Sequence, residues 1–95
     1  MEIIRIGSVG LGRLGLQHAE NIATRVQGAR LAALCEVDEA KLKETAARLG
    51  VEHTFTSFEE MAASPEIDAV VIVSPSALHT GQIETALANG KHVFS

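Results

Sequence analysis

The chain has 95 residues, 46% of them hydrophobic, with a formal net charge of −4, three Phe, no Trp or Tyr and a single Cys. This suits one domain with an aliphatic core, and the eight Lys and Arg form no stripe that could track a phosphate backbone, so nucleic acid is excluded as a partner. The longest apolar run, Ala69 to Val73, is far short of the ~20 residues that cross a bilayer, and no basic, then apolar leader opens the chain, so no membrane partner is expected and a cytoplasmic location is.

The stretch Ile3 to Gly15 reads as strand, tight turn and helix. A β-branched run leads into Gly10, Gly12 and Gly15, spaced G-x-G-x-x-G. Each glycine has its own physical reason: one makes the turn, one lets a pyrophosphate approach the backbone, and one lets the helix pack closely on the strand. The first N–H groups of the helix then face the phosphates, where unpaired donors and the helix dipole favour an anion. Arg13 and Leu14 fall within this turn; Arg13 either touches a phosphate or faces solvent.

Ala19, Ile22, Ala23 and Val26 give the following helix one apolar face, ended by Gly28. Ala29 to Cys35 reads as a second strand. Asp38 is placed to cap a helix with Leu42, Ala46 and Leu49 on one face and Gly50 at its end. Val51 to Phe55 is a third strand, and Ser57 to Ala63 a short helix opened by a capping box, Ser57 with Glu60. After the turn Ser64-Pro65-Glu66, I-D-A-V-V-I-V is apolar on both sides, as a strand between two helix layers must be. Ser74-Pro75-Ser76 then starts a helix through Ile83, Ala86 and Leu87, with Ser76 read as its N-cap, and His92-Val93-Phe94 is the fifth strand. Alternating strands and helices predict an α/β fold, a doubly wound parallel sheet of about five strands in the order 3-2-1-4-5.

Ligands of such sheets bind beyond the carboxyl ends of the strands at the switch point, here the glycine turn and Ser74-Pro75-Ser76. Glu36 follows the second strand about 20 residues after Gly15, where an acid accepts hydrogen bonds from the adenosine ribose. Its carboxylate would repel a 2′-phosphate, so NAD is expected over NADP. Otherwise it is a solvated acid beside Asp38 and Glu39. His79 either faces the cleft or sits at the surface, and no histidine shares metal-ligand spacing with another or with Cys35, so no metal site is assigned.

G-L-G-R-L-G, L-Q-H-A-E-N, the acid of C-E-V-D, P-E-I-D-A-V-V-I-V-S-P-S-A-L-H and A-L-A-N-G-K-H-V-F arrive in order over the whole chain. Together they resemble the N-terminal Rossmann domain of the Gfo/Idh/MocA oxidoreductases, with wording most similar to the inositol 2-dehydrogenases. The resemblance implies that Gly10, Gly12 and Gly15 cradle the pyrophosphate of NAD and that Glu36 takes the ribose. It also implies that Ser74, Pro75 and His79, matching an S/T-P-x-x-x-H segment, line the cofactor cleft. Members of the family continue after V-F with a Glu-Lys-Pro motif whose lysine takes part in catalysis, then with a second domain bearing an Asp and a His of the active site. Residues 1–95 are therefore expected to be a dinucleotide-binding domain incomplete at its C-terminus, with no catalytic residue of its own and a small polyol or sugar as substrate of the full-length parent. A binding-only NAD(H) sensor and a self-associating fragment are the other readings. A homo-oligomer is expected, because the fifth strand offers an edge.

Overall fold

Five short runs pair as one parallel sheet in the computed structural model, which describes residues 3–10, 12–24, 27–73 and 76–94, and only the backbone of 13, 14 and 76–79. The strands are β1 (Ile4–Val9), β2 (Ala29–Cys35), β3 (His53–Phe55), β4 (Ala69–Ile72) and β5 (His92–Phe94), in the order β3-β2-β1-β4-β5. The helices between them are α1 (Arg13–Thr24), α2 (Glu39–Leu49), α3 (Phe58–Ala62) and α4 (Ser76–Ala88). The pleat divides the side chains of β1, β2 and β4 between two cores. Ile6, Leu31 and Ala69 pack with Ala19 and Ile22 of α1 and Leu42 and Ala46 of α2. Val9, Val70 and Ile72 pack with Phe58 and Met61 of α3 and Ala86 of α4. β4 feeds both cores, which is why its sequence is apolar throughout. Each fully buried aliphatic side chain contributes about 1.5–3 kcal/mol.

Local chemistry fixes where the helices start and stop. The Asp38 carboxylate accepts from the Lys41 N–H at 3.2 Å, and Gly50 takes φ 71°, so that the Val51 N–H reaches back to the Ala46 carbonyl at 2.9 Å. The Ser57 hydroxyl likewise accepts from the Glu60 N–H at 3.3 Å. Two features differ from the sequence pattern. β3 begins at His53, because Val51 is used in closing α2. Ala23 is exposed, since the face of α1 that meets the sheet runs through Gly15, Ala19 and Ile22; Val26 lies outside the described residues. α4 begins at Ser76, and the capping expected of its side chain lies outside the described residues.

Gly7, in the middle of β1, is required by packing. A Cβ there would stand 2.9 Å from Met61 Sδ and 3.1 Å from Ile67 Cδ1, so the missing side chain is the space into which α3 settles. At the amino ends of the strands, Asp68 joins three of them. Its carboxylate accepts from the Arg5 backbone N–H at 2.9 Å and from the Arg5 guanidinium at 3.2 and 3.0 Å, its N–H donates to the Arg5 carbonyl, and its own carbonyl accepts from His92. Lys91 Nζ donates to the carbonyls of Ser64 at 2.7 Å and Ile67 at 2.9 Å, tying the start of β5 to the loop before β4.

The hydrogen bonds from the Arg5 side chain and backbone hold the Asp68 carboxyl at about 2, below its ordinary 3.8. A depressed carboxyl stabilises the fold fully above its unfolded value and loses that contribution as pH falls through its folded value. Asp68→Asn should therefore lower stability at neutral pH and flatten the acid loss between pH 3.8 and about 2. Urea midpoints of both proteins across that range measure it, and parallel acid curves would refute the assignment.

Candidate functional site

The carboxyl ends of the inner strands meet at one edge of the sheet. Val9 is in register with Cys35 on one side and Ile72 on the other. Backbone bonds continue past the strands: Gly10 N–H to the Cys35 carbonyl at 3.0 Å, Glu36 N–H to the Phe55 carbonyl at 3.1 Å and Val73 N–H to the Val9 carbonyl at 3.1 Å. The turn after β1, the acid after β2 and the exit of β4 are thus neighbours. Gly10 leaves the strand at φ 91°, in the left-handed region that glycine enters without a side-chain penalty.

α1 begins immediately beyond. The Gly12 carbonyl accepts the first helical bond, from Leu16 at 2.8 Å, so the backbone N–H groups of Arg13, Leu14 and Gly15 have no carbonyl within the helix to bond. Gly15 explains how this helix end comes so near the strand. A Cβ on it would collide with the Gly10 carbonyl oxygen and stand 2.9 Å from the Gly10 carbonyl carbon. A Cβ on Gly12 would meet nothing within 4 Å among the described residues, so the space over the start of α1 is open. N–H groups without a carbonyl partner inside the helix, the positive end of the helix dipole and room for close approach are the features that favour an anion.

The half-buried Glu36 sits on the next turn, its Oε2 accepting from the Asp38 N–H at 3.0 Å, which steadies the carboxylate at the end of β2. Cys35, directly before it, is buried, and burial together with the charge of Glu36 pushes its thiol up to about 12. It packs as a small apolar residue and offers no thiolate at neutral pH.

Of the nine residues singled out from sequence, Gly10, Gly12, Gly15 and Glu36 lie together at this edge. Arg13 and Leu14 form the first turn of α1 and His79 lies in α4, with side chains outside the described residues, as are Ser74 and Pro75 altogether. The sequence reading did not find a cavity of about 440 Å3 beside Glu36, between α3 and α4, lined among others by Val37, Thr56, Phe58, Gly81, Gln82 and Thr85. The available signals were an apolar Val37 inside an acidic loop and a glycine inside a helix.

Residues 4–95 match the family model described as oxidoreductase family, NAD-binding Rossmann fold, GFO_IDH_MocA. A scyllo-inositol 2-dehydrogenase (NAD(+)) of Bacillus subtilis is 38% identical over 91 residues, covering 96% of this chain and 27% of that protein. Among solved structures, scyllo-inositol dehydrogenase from Lactobacillus casei with bound NAD(H) and scyllo-inositol superposes with a TM-score of 0.96 at 54% identity, over 99% of this chain and 28% of the other. The WlbA dehydrogenase from Bordetella pertussis, in complex with NADH and UDP-GlcNAcA, gives 0.86 at 34% identity, over 97% and 28%. The chain spans 27% of the length of the first curated relatives it matches.

The second and third glycines of the turn should separate in their effects on the fold. Gly15→Ala forces α1 off the strand and is expected to cost about 1–3 kcal/mol. Gly12→Ala, whose added methyl enters open space, should stay within about 0.5 kcal/mol of the parent. Chemical denaturation of both variants measures this, and equal destabilisation would show that the contact between Gly15 and Gly10 does not set the packing.

Proposed function

We propose that this chain, which belongs to the Gfo/Idh/MocA family of NAD-binding oxidoreductases, holds NAD(H) across the turns after β1 and β2 for an enzyme that oxidises a hydroxyl carbon of a cyclitol or sugar. The observation that carries the reading is the pairing of Gly12 and Gly15: one leaves open space at the helix start, and the other brings that start against the strand. In this reading the backbone N–H groups of Arg13, Leu14 and Gly15 hold the pyrophosphate, and Glu36 accepts from the ribose hydroxyls. Ser74, Pro75 and His79 would complete the cleft from the other side of the switch point. When bound, the nicotinamide supplies the hydride acceptor; the residues of this chain bind and orient it.

Substrate chemistry is inferred from the relatives whose names specify scyllo- or myo-inositol. Acid–base chemistry at that substrate is assigned to parts of the parent enzyme beyond the 95 residues, and the location to the cytoplasm. Among the described residues no helix is long and apolar enough to cross a membrane.

A 2′-phosphate beside Glu36 meets a fixed negative charge, so NADPH should bind at least about tenfold more weakly than NADH, a difference of about 1.4 kcal/mol. Calorimetry with each nucleotide tests this, and equal or tighter binding of NADPH would remove Glu36 from the site. In the same preparation, NAD and scyllo-inositol should yield no NADH, because a positioned general base is worth about 10²–10⁴-fold and this chain is assigned none. Sustained turnover would overturn that division of labour.

We also propose self-association through β5. Phe94, beside Val71 in the ladder, is 52% exposed, on a strand whose outer edge has no neighbour among the described residues. An open edge next to an apolar side chain recruits another strand. Sedimentation equilibrium over a dilution series should give a dimer or larger species, and a monomer at every concentration would end the proposal.

A further inference from the structure

Asn89-Gly90 is the one Asn-Gly step in the chain, and it lies where α4 ends and the connection to β5 begins. Both residues are exposed. An asparagine before a glycine is open to attack by the chain on itself. The glycine puts no side chain in the way of its own backbone nitrogen, and the carboxamide is an electrophile with ammonia as its leaving group. The other asparagine, Asn21, precedes Ile22 inside α1, where a β-branched side chain and a helical backbone stand in the way.

The fold holds both reacting groups. Gly90, at φ 74°, donates its N–H to the Leu87 carbonyl at 3.0 Å, and the Lys91 N–H reaches the Ala86 carbonyl at 3.0 Å, the two bonds by which a left-handed glycine closes a helix. Asn89 Nδ2 donates to the Thr85 carbonyl at 2.8 Å. The nucleophile is thus tied to one carbonyl and the carboxamide to another, a turn back along the helix. Only when the last turn of α4 opens can Asn89 Cγ meet the Gly90 nitrogen. Lys91 restrains that opening, because its Nζ bonds to the carbonyls of Ser64 and Ile67 fasten the residue next to the glycine.

We propose that Asn89 is a site of spontaneous deamidation, gated by the closing turn of α4 and its Lys91 anchor. In the open turn the Gly90 nitrogen bonds to Asn89 Cγ as the Cγ–Nδ2 bond breaks, and Nδ2 leaves as ammonia with the Gly90 proton. Water then opens the succinimide. Cleavage between the Gly90 nitrogen and Cγ gives aspartate, and cleavage between that nitrogen and the Asn89 backbone carbonyl gives isoaspartate. Aspartate sets a negative charge at the negative end of the helix dipole and removes the donor to Thr85; isoaspartate lengthens the backbone by one carbon before Lys91. Either product disfavours reclosing.

Peptide mapping of the folded protein and of the protein in guanidinium chloride, after equal incubation in the same mildly alkaline buffer, tests this. Conversion of Asn89 should be at least about tenfold slower in the folded chain, an opening free energy of about 1.4 kcal/mol for the last turn, and Asn21 should lag behind Asn89 in denaturant. Lys91→Met leaves Asn89-Gly90 intact and releases the two carbonyls, so it should speed conversion about fivefold in the folded protein and leave the rate in denaturant unchanged. Equal rates for folded and denatured parent, no conversion at Asn89 in denaturant, or a folded Lys91→Met that reacts no faster than the parent would overturn the proposal. Should Lys91→Met fail to fold, the comparison of folded with denatured parent decides alone.

Discussion

The approach of Gly15 to the carbonyl of Gly10 is the constraint on which the site depends. It lets the first turn of α1 lie against the end of β1 without an intervening side chain, and so places the N–H groups that open the helix at the sheet edge. Those donors are useful only because the edge is level: Val9, Cys35 and Ile72 end in register, and the bonds beyond them bring Gly10, Glu36 and Val73 side by side. A shift of one residue in either ladder would move Glu36 or the β4 exit by about 3.3 Å along the sheet and separate the groups. The amino ends are held by different chemistry, the Arg5–Asp68 pair and the reach of Lys91 to two carbonyls. One end of the sheet is fastened with charges and the other carries the opening turn of a helix.

What was legible in the sequence follows from how local each requirement is. The glycine spacing, the Asp38 and Ser57 caps and the all-apolar run of β4 are demands on a few consecutive residues, and each appears at its expected place. The strand order followed because helices between successive strands leave few arrangements open. Arg5 and Asp68 lie 63 positions apart and share no periodic pattern, so their pairing could not be read before the register was known. The exposure of Ala23 depends on the angle at which α1 meets the sheet, which side-chain periodicity does not specify. The cavity beside Val37 is a distance between two helices rather than a property of either.

The two cores also differ in what they require of the chain. The buried hydrophobic residues of the α1 and α2 side are all aliphatic. The α3 and α4 side contains Cys35, Phe58 and Met61, and is closed by a helix of only five residues. So short a helix has little stability of its own and depends on the surface it covers. Its seat is the hollow left by Gly7, where Met61 lies wholly buried.

That seat has a bearing on oxidative damage. Conversion of a thioether to its sulfoxide adds an oxygen and a dipole to the sulfur. At Met61 Sδ the neighbouring space is already taken by the β1 backbone and Ile67, so the folded chain can neither admit the oxidant nor house the product. The sulfur is protected while α3 is seated. Once oxidised during a transient opening it would keep α3 from reseating, and a brief local opening would become lasting loss of one face of the core.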